Sequence, residues 1–136
     1  MICEEIISQR EKDMLINRVS KEFGLQHCFG DDMTEDDLFI YFTRLCNVLA
    51  FVEHGQKVAL VMLDVEDRRA EIHLVKLHTC STKIGLKRLW EAIGSNIDEL
   101  HSYITLDRKP ITRFWKSLGF EVTKKKDGYY ATMKRR

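Results

Sequence analysis

The chain has 136 residues, which is enough for one ordinary globular domain and short for two. Hydrophobic residues make up 44%, with one proline and seven glycines, and this composition excludes a disordered or collagen-like chain. The net charge of +1 gives no sign of polyanion binding, but residues 1–82 carry nine basic and 15 acidic side chains, whereas residues 83–136 carry 13 and six. With no repeat or low-complexity linker, the sequence predicts a single domain over residues 1–136.

The lengths of the apolar runs and the spacing of the cysteines indicate the cellular compartment of the protein. The longest apolar run, Val58 to Leu63, is far shorter than the roughly 20 residues that cross a bilayer, and the N-terminal MICEEIISQR is acidic where a signal peptide is basic. We therefore expect a cytoplasmic protein with no membrane partner. The cysteines lack any C-x-x-C pair, which predicts reduced thiols. His78 and Cys80 form an H-x-C pair without a third ligand, so no metal site is expected.

Two amphipathic helices are predicted near the N-terminus. The first covers about residues 10–23 and ends at Gly24. The second follows Thr34, a good N-cap, and its first turn at residues 35–37 is acidic. Its apolar stripe consists of Leu38, Phe42, Leu45, Cys46 and Leu49.

The middle of the chain changes to β-rich runs. VLAFV, KVALVMLDV and EIHLVKLH, between Val48 and His78, predict an antiparallel meander of three strands. A long helical stripe then runs from Leu86 to Leu100, and HSYITL, residues 101–106, reads as the next strand. The third strand of the meander, this helix and residues 101–106 therefore predict a strand–helix–strand unit with two parallel strands.

The last segments predict a short helix and a hairpin. Pro110 can begin the helix and Gly119 can end it. Residues 120–124 and 129–133 flank an Asp-Gly step that is typical of a hairpin turn. The predicted fold class is therefore α/β (α+β): a central mixed, mostly antiparallel sheet of six to seven strands, two N-terminal helices, one long central helix and one short late helix.

Two stretches carry a resemblance to a known family. Residues 113–121, RFWKSLGFE, resemble the late motif of the GNAT (Gcn5-related N-acetyltransferase) family, in which an aromatic pair precedes Leu-Gly-Phe. Residues 75–85, VKLHTCSTKIG, have the length and the closing Ile-Gly of that family's strand, pyrophosphate loop and helix start. The order of elements is also similar to the GNAT fold, so the resemblance implies this fold.

The resemblance also implies where an acyl-CoA would lie. Backbone N–H groups near Val75 and Leu77 would hold the thioester, and the start of the following helix would hold the pyrophosphate, because unpaired N–H groups and the helix dipole attract anions there. The residues implied for the pyrophosphate are Ser81, Thr82, Lys83, Gly85 and Lys87.

Several positions depart from the family pattern. Cys80 stands where the family has Arg or Gln, Ser81 and Lys83 stand where two glycines are expected, and only Gly85 is retained. Arg108 stands for an Asn that helps to hold CoA. Trp115 stands for a Tyr that protonates the departing thiolate, and an indole N–H cannot do this.

These departures favour a protein with degenerate acyl-CoA motifs and no catalysis, a binding or assembly module for which no cofactor is expected. A protein partner or self-association is predicted, since the acidic and basic halves could meet head to tail. Small GNAT-like proteins of this size are similar to some that tailed bacteriophages encode and package in their virions. The virion is therefore a second predicted location, besides the cytoplasm.

Two other functions stay open. The first is an acetyl-CoA-dependent N-acetyltransferase, for which acetyl-CoA is the cofactor and Tyr129, Tyr130 and Glu71 are weak catalytic candidates. The second is a nucleic-acid-binding domain that uses the basic C-terminal set. That set is Lys124, Lys125, Lys126, Lys134, Arg135 and Arg136. Cys80 is expected to be a buried filler, with a reactive thiol as the alternative, and Trp90 and Trp115 are expected to pack in the core.

Overall fold

A computed structural model describes residues 1–30 and 32–135 of the chain and contains a seven-stranded sheet with helices on both faces. The strands are β1 (Ile2–Ile6), β2 (Asn47–Glu53), β3 (Gln56–Glu66), β4 (Arg69–Lys76), β5 (Glu99–Thr105), β6 (Glu121–Lys125) and β7 (Gly128–Lys134). The helices are α1 (Gln9–Glu22), α2 (Leu25–Phe29), α3 (Glu35–Ile40), α4 (Thr82–Ile93) and α5 (Ile111–Ser117).

The sheet order is β1-β2-β3-β4-β5-β7-β6, and every pairing is antiparallel except that of β4 with β5. This confirms the predicted mixed, mostly antiparallel sheet. The parallel pairing covers only residues 69–71 of β4 and 99–101 of β5. Beyond these residues the two strands are no longer paired, and the sheet is split toward their carboxyl ends.

The two predicted N-terminal helices are confirmed, and capping explains where they begin. Ser8 Oγ accepts the N–H of Glu11 at the start of α1, and Thr34 Oγ accepts the N–H of Asp37 at the start of α3. α3 passes directly into a π-helical turn at Tyr41–Leu45. The apolar stripe predicted for the second helix extends too far toward the C-terminus, because Leu45 is 69% exposed and position 49 lies on β2.

Alternate residues of the strands point to opposite faces of the sheet and form two cores. The core beneath α1, α2 and α3 contains Ile16, Val19, Leu25, Leu38, Phe42, Leu60 and Met62. The core beneath α4 and α5 contains Phe51, Leu63, Ile72, Leu86, Leu89, Leu100 and Trp115. The chain thus separates an α1–α3 face from an α4–α5 face, and the split between β4 and β5 connects them.

Two elements, β1 and α2, are not predicted from the sequence. β1 is an edge strand whose partner β2 lies about 40 residues away, so no local turn signal marks it. α2 is a single turn between Gly24 (φ 78°) and Gly30 (φ 57°). The predicted long central helix is also shorter than its stripe, because α4 ends at Ile93 and Leu100 belongs to β5. The late helix and the hairpin are confirmed.

No helix in the described part of the chain is long and apolar enough to cross a membrane.

Gly85 lets α4 approach the sheet closely. A Cβ atom added at this position would lie 2.4 Å and 2.5 Å from two ring carbons of Phe51 on β2. Gly85 is itself buried, so the contact leaves no room for a side chain. The glycine that the family pattern retains is therefore required by helix–sheet packing.

We predict that Gly85→Ala destabilises the protein by about 1–2 kcal/mol, since overpacking outweighs the gain in helix propensity. Urea unfolding measures this change. In a Phe51→Leu background the same substitution should cost clearly less, because the ring that it meets is gone. An equal cost in both backgrounds would contradict the packing argument.

Candidate functional site

A cleft of about 340 Å³ occupies the split between β4 and β5. Residues 72–76 of β4 and 102–105 of β5 form its sides, and residues of α2, α5 and the segment before α5 close it. Those closing residues are Cys28, Phe29, Arg108, Ile111, Phe114 and Trp115. Most of these side chains are apolar, so an organic ligand would be held mainly by hydrophobic contact.

The backbone of β4 presents N–H groups to this cleft. The N–H of Leu77, just after β4, donates to the carbonyl of Val58 on β3 at 2.9 Å. Because successive amides of a strand alternate between its two edges, Val75 also faces β3, whereas the N–H groups of Leu74 and Lys76 face the gap left by β5. The Leu77 amide that the sequence analysis implied is thus already bonded, and its neighbours Leu74 and Lys76 are the donors on the open side.

The N-terminus of α4 lies just beyond the end of β4. Ser81 is its N-cap: the Oγ atom accepts the N–H of Ile84 at 3.3 Å, and the carbonyl accepts that of Gly85 at 3.0 Å. The N–H groups of Thr82 and Lys83 have no acceptor within the described part of the chain. Two free amides and the positive end of the helix dipole therefore point out of the first turn.

Lysines accompany these amides. Lys83 and Lys87 are exposed and lie four residues apart on one face of α4. Cys80, by contrast, is partly buried with its Sγ 4.0 Å from the carbonyl of Val58, and burial raises the pKa of its thiol. Cys80 is thus a filler at the strand end, and the alternative of a reactive thiolate is not supported.

Arg108 and Trp115 form walls of the cleft without filling it. The guanidinium of Arg108 donates to the carbonyl of Cys28 at 2.8 Å and to those of Gln26 and His27, so it binds the C-terminal end of α2. Trp115 is buried and packs edge-on against Phe120, with ring centroids 4.9 Å apart. Neither residue blocks the space between the strands.

A polar cluster lies on the α1–α3 face, where β4 begins to leave β5. The hydroxyl of Tyr41 donates to Asp64 Oδ2 at 2.6 Å and lies 3.4 Å from His73 Nε2. The same nitrogen lies 3.8 Å from Oε1 of Glu71. His73 also lines the cleft. The predicted candidate Glu71 therefore stands beside the cleft, in a cluster whose members come from β3, β4 and the π-helical turn.

Tyr41 and His73 are not predicted from the sequence, because Tyr41 is 23 residues from Asp64 and 32 residues from His73. One signal was available. Glu71 and His73 alternate with apolar residues in the EIHLVK run, which places both polar side chains on one face of a strand. Only the pairing of β4 with β3, and the π-helical turn above it, bring Asp64 and Tyr41 to that face.

The other tyrosines occupy different positions. Tyr129 and Tyr130 face opposite sides of β7: Tyr129 packs against the α4–α5 core, and the hydroxyl of Tyr130 accepts a hydrogen bond from Arg69 on the other face. Of the four tyrosines, only Tyr103 lines the cleft. It is 63% exposed and its ring contacts that of Tyr130, with centroids 4.9 Å apart.

The basic C-terminal set does not form one patch in the described structure. Lys124, Lys125 and Lys126 are at the hairpin tip, and Lys134 and Arg135 are at the other end of β7. The guanidinium of Arg135 donates to three backbone carbonyls and stacks 4.8 Å from the ring centroid of Trp90, so it serves packing. Arg136 lies outside the described residues.

Comparison with solved structures identifies the fold. The Campylobacter jejuni N-acetyltransferase PseH in complex with acetyl coenzyme A has a TM-score of 0.64 at 12% identity, over 99% of this chain and 100% of that one. PaiA N-acetyltransferase from Thermoplasma acidophilum, in complex with coenzyme A, has 0.64 at 16%, over 99% and 100%. The dodecameric spermidine N-acetyltransferase from Vibrio cholerae has 0.63 at 10%, over 97% and 92%. No protein-family model and no curated protein sequence matches the chain.

These comparisons correct two predictions. The preference for a non-catalytic binding or assembly module is wrong, since the structures that share the fold over the whole chain are N-acetyltransferases. The expectation of no cofactor is wrong too, since two of those structures hold acetyl-CoA or CoA. They give no support to a bacteriophage origin or to nucleic-acid binding. The chain has the GNAT fold.

Substitution of Arg108 tests whether its hydrogen bonds hold α2 at the wall of the cleft. We predict that Arg108→Ala lowers the free energy of unfolding by about 1–2 kcal/mol, because carbonyls at the end of α2 lose a charged donor. It should also speed amide hydrogen exchange in α2. Arg113→Ala, an exposed arginine on α5, serves as control and should change stability by less than about 0.5 kcal/mol. Unchanged exchange in α2 would show that Arg108 does not hold this wall.

Proposed function

We propose that the chain, acting as one domain over residues 1–136, is an acetyl-CoA-dependent N-acetyltransferase. The observation that carries this proposal is the open cleft between β4 and β5, with unpaired backbone N–H groups along β4 and at the start of α4. The likeness to N-acetyltransferases over nearly the whole chain supports it.

The residues present suit acetyl-CoA. The N–H groups of Leu74 and Lys76 can donate to the amide and thioester carbonyls of the acyl arm, as an additional strand would accept them. The N–H groups of Thr82 and Lys83 can donate to the diphosphate. Ser81 holds the helix start in place through its cap, and the ammonium groups of Lys83 and Lys87 add positive charge. All of these donors except the lysine side chains are backbone groups, which are available whatever the residue type.

The reaction that this arrangement favours is direct transfer. The nitrogen of a primary amine forms a bond to the thioester carbonyl carbon and the C–S bond breaks; starting from the protonated amine, the products are an amide, the CoA thiol and one proton. Backbone N–H groups of β4 would stabilise the negative charge that develops on the carbonyl oxygen. Because amines are protonated near neutral pH, the site must also remove a proton from the acceptor before attack.

Proton acceptors are available on one face of the cleft. Glu71 and His73 lie together there, and the α4–α5 face carries the helix start suited to phosphate. We therefore propose that the acceptor amine enters from the α1–α3 face and the acyl arm from the other. On departure the thiolate can take its proton from the Tyr103 phenol, the tyrosine on the cleft, or from water; Trp115 does not supply it.

Self-association is a second proposal. The Vibrio cholerae spermidine N-acetyltransferase is dodecameric. In this chain the large apolar side chains of Ile7 and Leu45 are 82% and 69% exposed, so they are available for contact with a second subunit. Light scattering on the purified protein would decide between a monomer and an oligomer.

Binding of acetyl-CoA is the first test, and isothermal titration calorimetry should give a dissociation constant in the micromolar range. Lys83→Glu should weaken binding about five- to ten-fold, since it places a negative charge beside the diphosphate. Lys125→Glu makes the same change of charge at the hairpin tip and should leave binding unchanged. Absence of binding by the unmodified protein would contradict the proposal, and equal effects of the two variants would contradict the assigned phosphate site.

Turnover is the second test. Release of the CoA thiol should be measured with acetyl-CoA and a panel of primary amines that includes spermidine, the substrate class named for the Vibrio cholerae enzyme. We expect at least one amine to be acetylated faster than acetyl-CoA is hydrolysed. Binding without any amine-dependent release would leave a CoA-binding protein and exclude the transferase.

A further inference from the structure

We propose that the acceptor of the acetyl group is an amine that carries an aromatic ring, and that this ring stacks on a surface formed by Tyr103 and Tyr130. This substrate class rests on the proposed acetyl transfer, within which the two tyrosines are specificity-determining residues.

Half of the α1–α3 face of the sheet is not covered by a helix in the described structure. The core beneath α1, α2 and α3 takes its strand residues from β1, β2, β3 and β4 and contains none from β5, β6 or β7. On β5, Leu100 and Ile104 belong to the other core. His101 and Tyr103 alternate with them and therefore point to the uncovered side, where a ligand can reach them.

Three aromatic rings contact one another on this uncovered side. Tyr103 and Tyr130 are register partners on β5 and β7, and their ring centroids lie 4.9 Å apart. The imidazole of His101 lies 5.6 Å from the ring of Tyr103 and 5.8 Å from that of Tyr130. Burial lowers the pKa of His101, with the nearby Arg69 as a second cause, so the imidazole is uncharged at neutral pH. These three side chains form one neutral aromatic surface.

Hydrogen bonds and an ion pair fix the aromatic surface. The hydroxyl of Tyr130 accepts a hydrogen bond from the guanidinium of Arg69, which also donates to Glu99 Oε2. Arg69 is on β4 and Glu99 is on β5, so these bonds join three strands beside the rings. Because the rings are held before a ligand arrives, stacking on them costs little conformational entropy.

Tyr103 connects the aromatic surface to the cleft. It lines the cleft and is 63% exposed, so Tyr130 covers part of its ring and the rest is free for contact. Phe29 on α2 also lines the cleft and packs against Phe42, with ring centroids 4.8 Å apart. Aromatic rings attract one another in offset-stacked and edge-on contacts. An acceptor whose amine enters the cleft therefore places its neighbouring atoms among aromatic rings.

The charges of the cleft disfavour a polyamine as acceptor. Among the described residues that line the cleft there is no carboxylate, and the cationic side chains are those of Lys76 and Arg108. Glu71, which stands beside the cleft, supplies at most one negative charge, and Glu99 is already paired with Arg69. Spermidine carries ammonium groups beyond the one that reacts, and these would lie near cations without a carboxylate to pair with.

Acceptor kinetics test the substrate class. We expect kcat/KM for phenethylamine to exceed that for spermidine by about ten-fold or more, and that for cyclohexylethylamine by about three-fold. Cyclohexylethylamine has the same carbon skeleton without a planar ring, so it separates stacking from hydrophobic burial. Acetylation of spermidine or cyclohexylethylamine as fast as that of phenethylamine would overturn the inference.

Substitutions of the tyrosines locate the preference. Tyr103→Leu should lower the ratio of kcat/KM for phenethylamine over cyclohexylethylamine about three-fold, because the stacking ring is lost, and Tyr130→Leu should lower it in part. Tyr103→Phe keeps the ring and should keep the ratio, even where loss of the phenol slows the reaction of both amines. An unchanged ratio in Tyr103→Leu, with thermal melting showing that it is folded, would contradict the assigned surface.

Phe23→Leu is the matched control. It makes the same kind of change at an aromatic residue that is 40% exposed at the end of α1 and does not line the cleft. We expect its ratio of kcat/KM for the two amines to equal that of the unmodified protein. A loss of preference as large as that in Tyr103→Leu would show that the effect is not specific to the aromatic surface.

A second measurement does not need turnover. NMR of the CoA-saturated protein with ¹³C-labelled tyrosine, with Tyr103→Phe and Tyr130→Phe to identify the signals, reports contact with a ligand ring. Phenethylamine should shift the ring signals of Tyr103 and Tyr130, whereas Tyr129, on the other face of β7, should not move. Spermidine at the same ionic strength should leave all three unchanged. No shift of Tyr103 at saturating phenethylamine would overturn the inference.

The two failures can be told apart. If the unmodified protein neither binds acetyl-CoA nor acetylates any amine, the proposed function is wrong and the substrate class falls with it. If the unmodified protein acetylates spermidine as well as phenethylamine, the proposed function holds and only the assignment of an aromatic acceptor is wrong.

Discussion

The separation of β4 from β5 is the constraint on which the rest of the structure depends. Parallel pairing stops after three residues on each strand, and beyond that point the N–H groups of Leu74 and Lys76 have lost the partner strand that a continuous sheet would supply. Leaving such groups unpaired costs free energy, so a structure keeps them only where something else can satisfy them. Trp115 and Arg108, which is bonded to α2, form parts of the cleft walls, and the open edge of β4 is a surface that can accept an extended ligand.

The two faces of the split differ in chemistry. On the α4–α5 face, the first two turns of α4 offer two free amides and two lysines, which suit a diphosphate. On the α1–α3 face, a carboxylate, a phenol and an imidazole lie within hydrogen-bonding distance of one another in series, which suits proton transfer. A single sheet can serve both because alternate residues of β4 face opposite ways, so that Glu71 and His73 point to one side and Ile72 to the other.

The departures from the family pattern misled the functional prediction for a physical reason. The absence of the glycines and the tyrosine favours a loss of binding and catalysis, yet the N–H donors along β4 and at the start of α4 are backbone groups that any residue except proline provides. The glycine that remained, Gly85, is explained by its contact with Phe51 and says little about phosphate. Trp115 lines the cleft at the position where the family pattern has a proton donor. Residues from other elements can donate or accept protons instead.

Periodicity and capping in the sequence determined the capped helices, the three-stranded meander, the hairpin and the overall α/β class, because these depend on neighbours within a few residues. The edge strand β1, the single turn α2 and the end of α4 could not be predicted from the sequence. Contacts with residues distant in sequence determine each of them. The polar cluster is the clearest case. Asp64, Glu71 and His73 are near in sequence, but Tyr41 joins them only because a π-helical turn packs over β3 and β4. Tertiary contacts alone decided where the sheet opens and which side chains meet there, because a few kcal/mol of packing between remote segments outweighs any local preference.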